Sequence, residues 1–246
     1  MVDQTLARSF LTAGADYDRY RPGFPAEAAD AIVPASARVA LDLGAGTGKF
    51  TELLVGRVDR VIAVEPSEQM LAILRAKLPG VETMIGAAES IPASDHSVDV
   101  VTVAQAFHWF DREPACAEIA RVLVPGGVLG LLWNRTDPRC AWDRACHRVA
   151  HPAVGDTDET TSSAAEQLPG FDVVERVTVP WAESISRADY IARWHTVSSF
   201  MTASDAERAR MTADVERILD ADPATAGREI LDLPQITDVY VYRARV

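Results

Sequence analysis

The stretch Asp42-Leu43-Gly44-Ala45-Gly46-Thr47-Gly48-Lys49-Phe50 decides how the rest of the chain is read. It ends the apolar run Arg38–Leu43, which reads as a buried strand, and leads into Gly48–Gly56, which has helical character. Three glycines at alternate positions permit positive φ and let a ligand lie against bare backbone. A helix N-terminus after such a loop offers unpaired N–H groups to an anionic or carboxylate-bearing ligand. Spacing excludes two other nucleotide loops. The dinucleotide fingerprint G-x-G-x-x-G needs a third glycine where Lys49 stands, and a P-loop fails because Phe50 follows Lys49 and the glycines are wrongly spaced.

Working outward, Val61–Glu65 reads as the next strand and ends on a carboxylate, Glu65. Ser67 is placed to N-cap a helix whose apolar residues Met70, Leu71, Leu74 and Leu78 share a face, and Pro79-Gly80 stops it. Further strands are expected at Val81–Ile85, Val98–Val103 and Gly127–Trp133, with a helix over Arg112–Leu123 between the last two. Strand and helix alternating in this way predict an α/β domain. The C-terminal third differs. Strands at Phe171–Val179 and Ile236–Arg243 are separated by a long segment carrying the stripe Tyr190, Trp194, Val197, Met201 and then a capping box, Ser204-Asp205-Ala206-Glu207. The helix opened by that box has Met211, Val215, Ile218 and Leu219 on one face, which predicts core packing and a helical pair set over a ligand pocket.

Charge and composition narrow the partners. At 48% hydrophobic and 24% charged the chain has ample material for a core, and its formal charge of −12 argues against nucleic acid and anionic membrane surfaces. The longest apolar-leaning run, near Gly126–Trp133, is too short to span a bilayer, and the N-terminus lacks the basic and apolar regions of a secretory signal. Cys116, Cys140 and Cys146 do not make a disulfide framework, so a cytoplasmic protein is expected. The order of Cys140, Cys146, His147 and His151, C-x5-C-H-x3-H, matches no zinc spacing, and no metal is expected. Thr157–Ser163 reads as a polar loop.

The D-x-G-x-G-x-G loop with Glu65 at the end of the following strand resembles the class I S-adenosylmethionine-dependent methyltransferases. The resemblance continues through Gly86-Ala87-Ala88-Glu89-Ser90-Ile91-Pro92 after the third strand, Asp99-Val100-Val101 in the fourth, and Arg121-Val122-Leu123-Val124-Pro125-Gly126-Gly127 before the fifth. It covers residues ~15–180 in order. Tyr17-Asp18-Arg19-Tyr20-Arg21-Pro22, Ala104–Asp111 and Leu131–Arg135 are similar to the small-molecule branch that includes trans-aconitate methyltransferases. The resemblance implies a Rossmann-like sheet of seven strands, order 3-2-1-4-5-7-6, with the last strand antiparallel and helices on both faces. It also implies one domain over 1–246, an N-terminal helical cap segment over 1–35, and a helical substrate cap inserted between strands 6 and 7 over ~186–233.

For function, it implies methyl transfer from S-adenosylmethionine to a small organic acceptor, with a carboxylate oxygen among the candidates. Methylation of oxygen, nitrogen or carbon on another metabolite, and a non-catalytic nucleoside-binding module, are the alternatives; Lys49 disfavours a nicotinamide enzyme. Cofactor residues are then expected at Asp42, Gly44, Ala45, Gly46, Gly48, Glu65, Pro66, Ala88, Glu89 and Gln105. Glu65 suits ribose hydroxyls as a bidentate acceptor, and Pro66 and Ile91 are placed to sandwich the adenine. Glu89 stands where many members carry Asp. His108 is the candidate base for an acceptor that must lose a proton. Tyr17, Tyr20, Arg21, Trp109, Asn134, Arg135 and Trp194 are the candidate substrate residues, the arginines as carboxylate clamps. A monomer or weak homodimer is expected.

Overall fold

The computed structural model describes residues 20–151 and 167–245. After a short helix α1 (Ala26–Ile32), strand and helix alternate: β1 (Val39–Leu43), α2 (Thr51–Leu54), β2 (Arg60–Glu65), α3 (Glu68–Lys77) and β3 (Glu82–Ile85). The chain continues through β4 (Val98–Ala104), a 3-10 turn (Phe107–Trp109), α4 (Arg112–Val122), β5 (Leu123–Thr136) and α5 (Ala141–Ala150). It closes with β6 (Phe171–Ser186), three helices α6 (Arg187–Trp194), α7 (Ser198–Thr202) and α8 (Asp205–Ala221), and β7 (Ile230–Ala244). The seven strands lie in the order β3-β2-β1-β4-β5-β7-β6, as the resemblance implies, with β7 antiparallel to both of its neighbours.

Strands β1, β2 and β4 are buried along nearly their whole length, as expected of parallel strands covered on both faces. One face packs on α4 through Ala115, Cys116, Ile119 and Val122; the other packs on α1 and on Phe50 and Leu54. Gly130 is what lets α1 sit close: a Cβ there would lie 2.5 Å from Ile32. Ser67 caps α3 through a hydrogen bond from Met70 N (3.3 Å), and both halves of the Ser204–Glu207 capping box are present on α8. Among the described residues, no helix is long and apolar enough to cross a membrane.

Several expectations need correcting. Of the span Gly48–Gly56 expected to be helical, only the four residues of α2 are, so the helix after the glycine loop is a single turn. The stripe from Tyr190 to Met201 belongs to two helices broken at Val197, which is extended; Tyr190, Trp194 and Val197 are buried, while Met201 is exposed. The last two strands run well past their expected ends. Pro180 and Pro234 conceal this in the sequence, yet both are tolerated. Strand β6 is the sheet edge, and Pro234 follows Gln235↔Thr136, the last rung shared with β5, so β7 has no β5 ladder left to break there. The paired ends Ala182–Ser186 and Ile230–Pro234 thus project beyond β5 as a two-stranded arm carrying α6–α8. Residues 1–19, including Tyr17, and the predicted polar loop Thr157–Ser163 lie outside the described residues.

Candidate functional site

Ligands of open α/β sheets bind beyond the carboxyl ends of the parallel strands, and the glycine loop stands there. It hangs from the end of β2: Gly44 N and Ala45 N both donate to Val64 O (2.8 and 3.2 Å). Gly44, Gly46 and Gly48 all have positive φ (70°, 55° and 87°). Gly44 is also needed for space, since a Cβ would fall 2.8 Å from Ala106 Cβ. At Gly46 a Cβ would meet only Met70 Sδ, at 3.8 Å, so that part of the loop presents open backbone.

Glu65 closes the loop from the next strand. Its Oε2 accepts from Gly46 N and its Oε1 from Ser67 N, both at 3.0 Å. Burial raises its pKa, and these two N–H bonds oppose the rise. Each carboxylate oxygen can accept more than one hydrogen bond, so acceptor capacity remains for a vicinal diol. Pro66 is exposed beside it.

Asp42 takes a different place from the one expected of a ligand contact. It is 1% exposed, and its two oxygens accept from Thr51 Oγ1 (2.6 Å) and Thr102 Oγ1 (2.8 Å). It therefore ties β1 to β4 and to α2 beneath the loop, a positioning role. Burial pushes its carboxyl up to about 6; the threonine bonds pull it down, and the nearby Glu65 charge adds a smaller upward push.

Beyond β3, Ala88 is buried and Glu89 exposed, with Glu89 Oε1 accepting from Asp111 N (2.7 Å). The Ile91 side chain belongs to the core and is not presented as an adenine face. Its backbone is clamped: Glu118 Oε2 accepts from Ile91 N (2.9 Å), and Arg121 donates to Ile91 O and Ala93 O (2.9 Å each). Neither Glu118 nor Arg121 was singled out from the sequence for this role, because two polar residues three apart on a helix look like a solvated face. Gln105 directly follows β4 with φ 56°, a left-handed conformation rare outside glycine, and its Nε2 donates to Asn134 O (3.1 Å). No sequence signal marks that backbone.

The acceptor-side candidates separate. His108 and Trp109 are exposed on the 3-10 turn after β4, their rings 4.8 Å apart. Tyr20 and Arg21 form a strap with Gly23: Tyr20 O accepts from Arg193 Nε (2.5 Å), Arg21 Nη2 donates to Thr196 O (3.3 Å), and Gly23 O accepts from Asn134 Nδ2 (2.8 Å). Asn134 Oδ1 also accepts from Thr237 Oγ1 (2.6 Å), so Asn134 is a strut between sheet and strap and not a free clamp. Arg135 points to the other face, where it pairs with Asp238 (2.5 Å), and its guanidinium is held by that carboxylate. Trp194 is packed in the core of α5–α8, edge-on to Tyr190 and His147, and offers its ring to those neighbours.

This frame agrees with the comparisons. A family model described as a methyltransferase domain matches residues 41–131. An uncharacterized methyltransferase of Mycobacterium tuberculosis is 40% identical over 232 residues, 94% of each chain. The chain belongs to the methyltransferase family. A second such relative of this methyltransferase, from Schizosaccharomyces pombe, is 32% identical over 242 residues, 96% of each chain. A solved structure from Anaeromyxobacter dehalogenans has the same fold, with a TM-score of 0.70 at 24% identity over 92% of this chain and 98% of that one. The enzyme is a class I methyltransferase, and its fold implies S-adenosylmethionine as methyl donor.

Proposed function

We propose that this methyltransferase moves the methyl group of S-adenosylmethionine to a small organic acceptor held between the strap and the sheet. The observation that carries it is the buried Glu65 carboxylate, fixed by Gly46 N and Ser67 N yet with lone pairs to spare beside open glycine backbone. The cofactor supplies a sulfonium-activated methyl group. In this reading Glu65 receives the ribose hydroxyls, Gly44–Gly48 line the methionine portion, and Pro66, Ala88 and Glu89 border the adenine. Asp42 and the Glu118–Arg121 pair hold these elements in place. In-line methyl displacement asks chiefly for alignment and exclusion of water, which Gln105, Trp109, Tyr20 and the strap are positioned to supply.

His108 is the proposed base for an acceptor phenol, hydroxyl or carbon acid that must lose its proton. Placement in the small-molecule branch similar to trans-aconitate methyltransferases rests on the motifs Tyr17–Pro22, Ala104–Asp111 and Leu131–Arg135. A carboxylate oxygen as acceptor needs a facing cation, and Arg135 pairs with Asp238 on the opposite face, which leaves that narrower reading to Arg21. A cytoplasmic monomer or weak homodimer acting on metabolites, without nucleic acid or membrane, completes the proposal; the −12 charge supports it.

Titration calorimetry with S-adenosylhomocysteine tests the core of it. Binding is expected, with at least a tenfold loss in Glu65→Gln and no measurable heat in Gly46→Val. Equal binding by all three proteins refutes the site.

A further inference from the structure

Antiparallel pairing puts cross-strand partners on the same side of a sheet. Asn134 and Thr136 on β5, Gln235 and Thr237 on β7, and Val179, Trp181 and Glu183 on β6 therefore share one face. Asn134 bonded to Gly23 O, and Glu183 bonded through Arg193 to Tyr20 O, mark it as the face under the strap. Most polar atoms here are satisfied: Trp181 Nε1 donates to Thr237 Oγ1 (3.0 Å), and Thr237 Oγ1 donates to Asn134 Oδ1. Two are not. Thr136 Oγ1 and Glu183 Oε2 are buried and have no hydrogen-bond partner. Strand geometry sets their Cα atoms about 12 Å apart, two strands across and two residues along, with Gln235 between them. Buried polar atoms are nearly always paired, so two orphans on one face, one at the end of β5 and one on the arm beside it, need an explanation.

We infer that Thr136 and Glu183 are specificity residues of the acceptor site and that the acceptor carries a hydroxyl or amine that donates to Glu183 Oε2. This rests on the methyl-transfer reading above. The other oxygen of Glu183 already accepts from Arg193 Nη2 (2.6 Å), so what remains is an acceptor-only position on a carboxylate. An ionised acid that lacks a hydroxyl or amine has no donor to offer it. Of the cations near the strap, Arg193 is already paired with Glu183 and also donates to Tyr20 O, while Arg21 Nη2 donates to the uncharged Thr196 O. Thr136 Oγ1, which both donates and accepts, suits a second polar group at the far end of the same small molecule. Carrying −12 overall, the protein also favours a neutral or cationic acceptor over a polyanion.

The experiment uses methyl-labelled S-adenosylmethionine with four probes: catechol and tyramine as donors, and the hydroxyl-free acids tricarballylate and trans-aconitate as anions. Label is expected on a donor-bearing probe. Glu183→Gln keeps an oxygen for Arg193 and presents an NH2 where Oε2 stood; it is expected to lower kcat/KM for that probe at least tenfold. Its affinity for S-adenosylhomocysteine should be unchanged, and Glu183→Asp should recover part of the loss. Label on the acids alone, or an indifferent Glu183→Gln, overturns the inference. Thr136→Val decides the case in which no probe is methylated. Removing a hydroxyl that has no partner should raise Tm by about 2–4 °C, whereas a lowered Tm means that the hydroxyl is bonded within the protein and overturns the inference. Loss of S-adenosylhomocysteine binding by the unmodified enzyme is the separate signature that the methyl-transfer reading itself has failed.

Discussion

Replacing Asp42 with Asn should change how the stability of this enzyme depends on pH. The Asp42 carboxyl lies in the core below the glycine loop, and burial raises its pKa from 3.8 to about 6. A raised carboxyl pKa means that the folded state prefers the protonated form. The stabilisation is fully present below 3.8 and is lost as pH rises through about 6. The whole difference corresponds to about 3 kcal/mol, of which roughly 1 kcal/mol falls between pH 5 and 7.5. Asn keeps the size and can still meet Thr51 and Thr102, whose hydroxyls rotate. Unfolding by urea and by heat, measured on both proteins at pH 5 and 7.5, isolates the term because every other titrating group is shared. On going to pH 7.5, the unmodified protein should lose about 2–4 °C of Tm more than Asp42→Asn does. Parallel pH profiles for the two proteins would refute the reasoning and imply that Asp42 titrates as it does in the unfolded chain.

Two further outcomes follow from the same region. Gly44→Ala forces a side chain onto φ 70° with its Cβ 2.8 Å from Ala106; a loss of about 1–3 kcal/mol is expected by urea titration, together with weaker cofactor binding. Arg121→Ala frees Ile91 O and Ala93 O from their donors, so calorimetry should show S-adenosylhomocysteine binding weakened about three- to tenfold, while kcat at saturating cofactor stays within a factor of two.

The parallel half of the sheet was legible because buried strands there are short apolar runs and each connection ends in a local signal, such as Ser67 or the turn at Pro79-Gly80. The glycine loop and Glu65 were legible for a related reason. Positive φ is written in the sequence as glycine, and a carboxylate at a strand end is rare unless something needs it. The ends of β6 and β7 were not legible, because polar alternation and two prolines describe an edge arm as well as they describe a loop. Arg135 and Asn134 looked like clamps from their types alone. Their neighbours Asp238, Thr237 and Gly23 are about a hundred residues away in sequence, and only the register of β5 against β7 brings them together. Gln105 left no trace, since nothing about a glutamine announces a left-handed backbone.

The arm formed by Ala182–Ser186 and Ile230–Pro234 has a consequence for how such enzymes diversify. Helices α6–α8 are rooted in the sheet through two adjacent strands that enter and leave side by side. The segment from Arg187 to Glu229 can therefore be exchanged as a cassette while the seven-strand sheet, the glycine loop and Glu65 keep their connectivity. Swapping in a cassette from a relative should replace the helices while Thr136, Glu183 and the cofactor site stay in place, so acceptor preference should remain with the sheet, provided that Arg193 travels with the cassette. Its guanidinium joins the cassette to Glu183 on the arm and to the strap at Tyr20, so it is one fastening a recombined enzyme would have to preserve, beside the bond from Tyr190 Oη to Asp143 on α5.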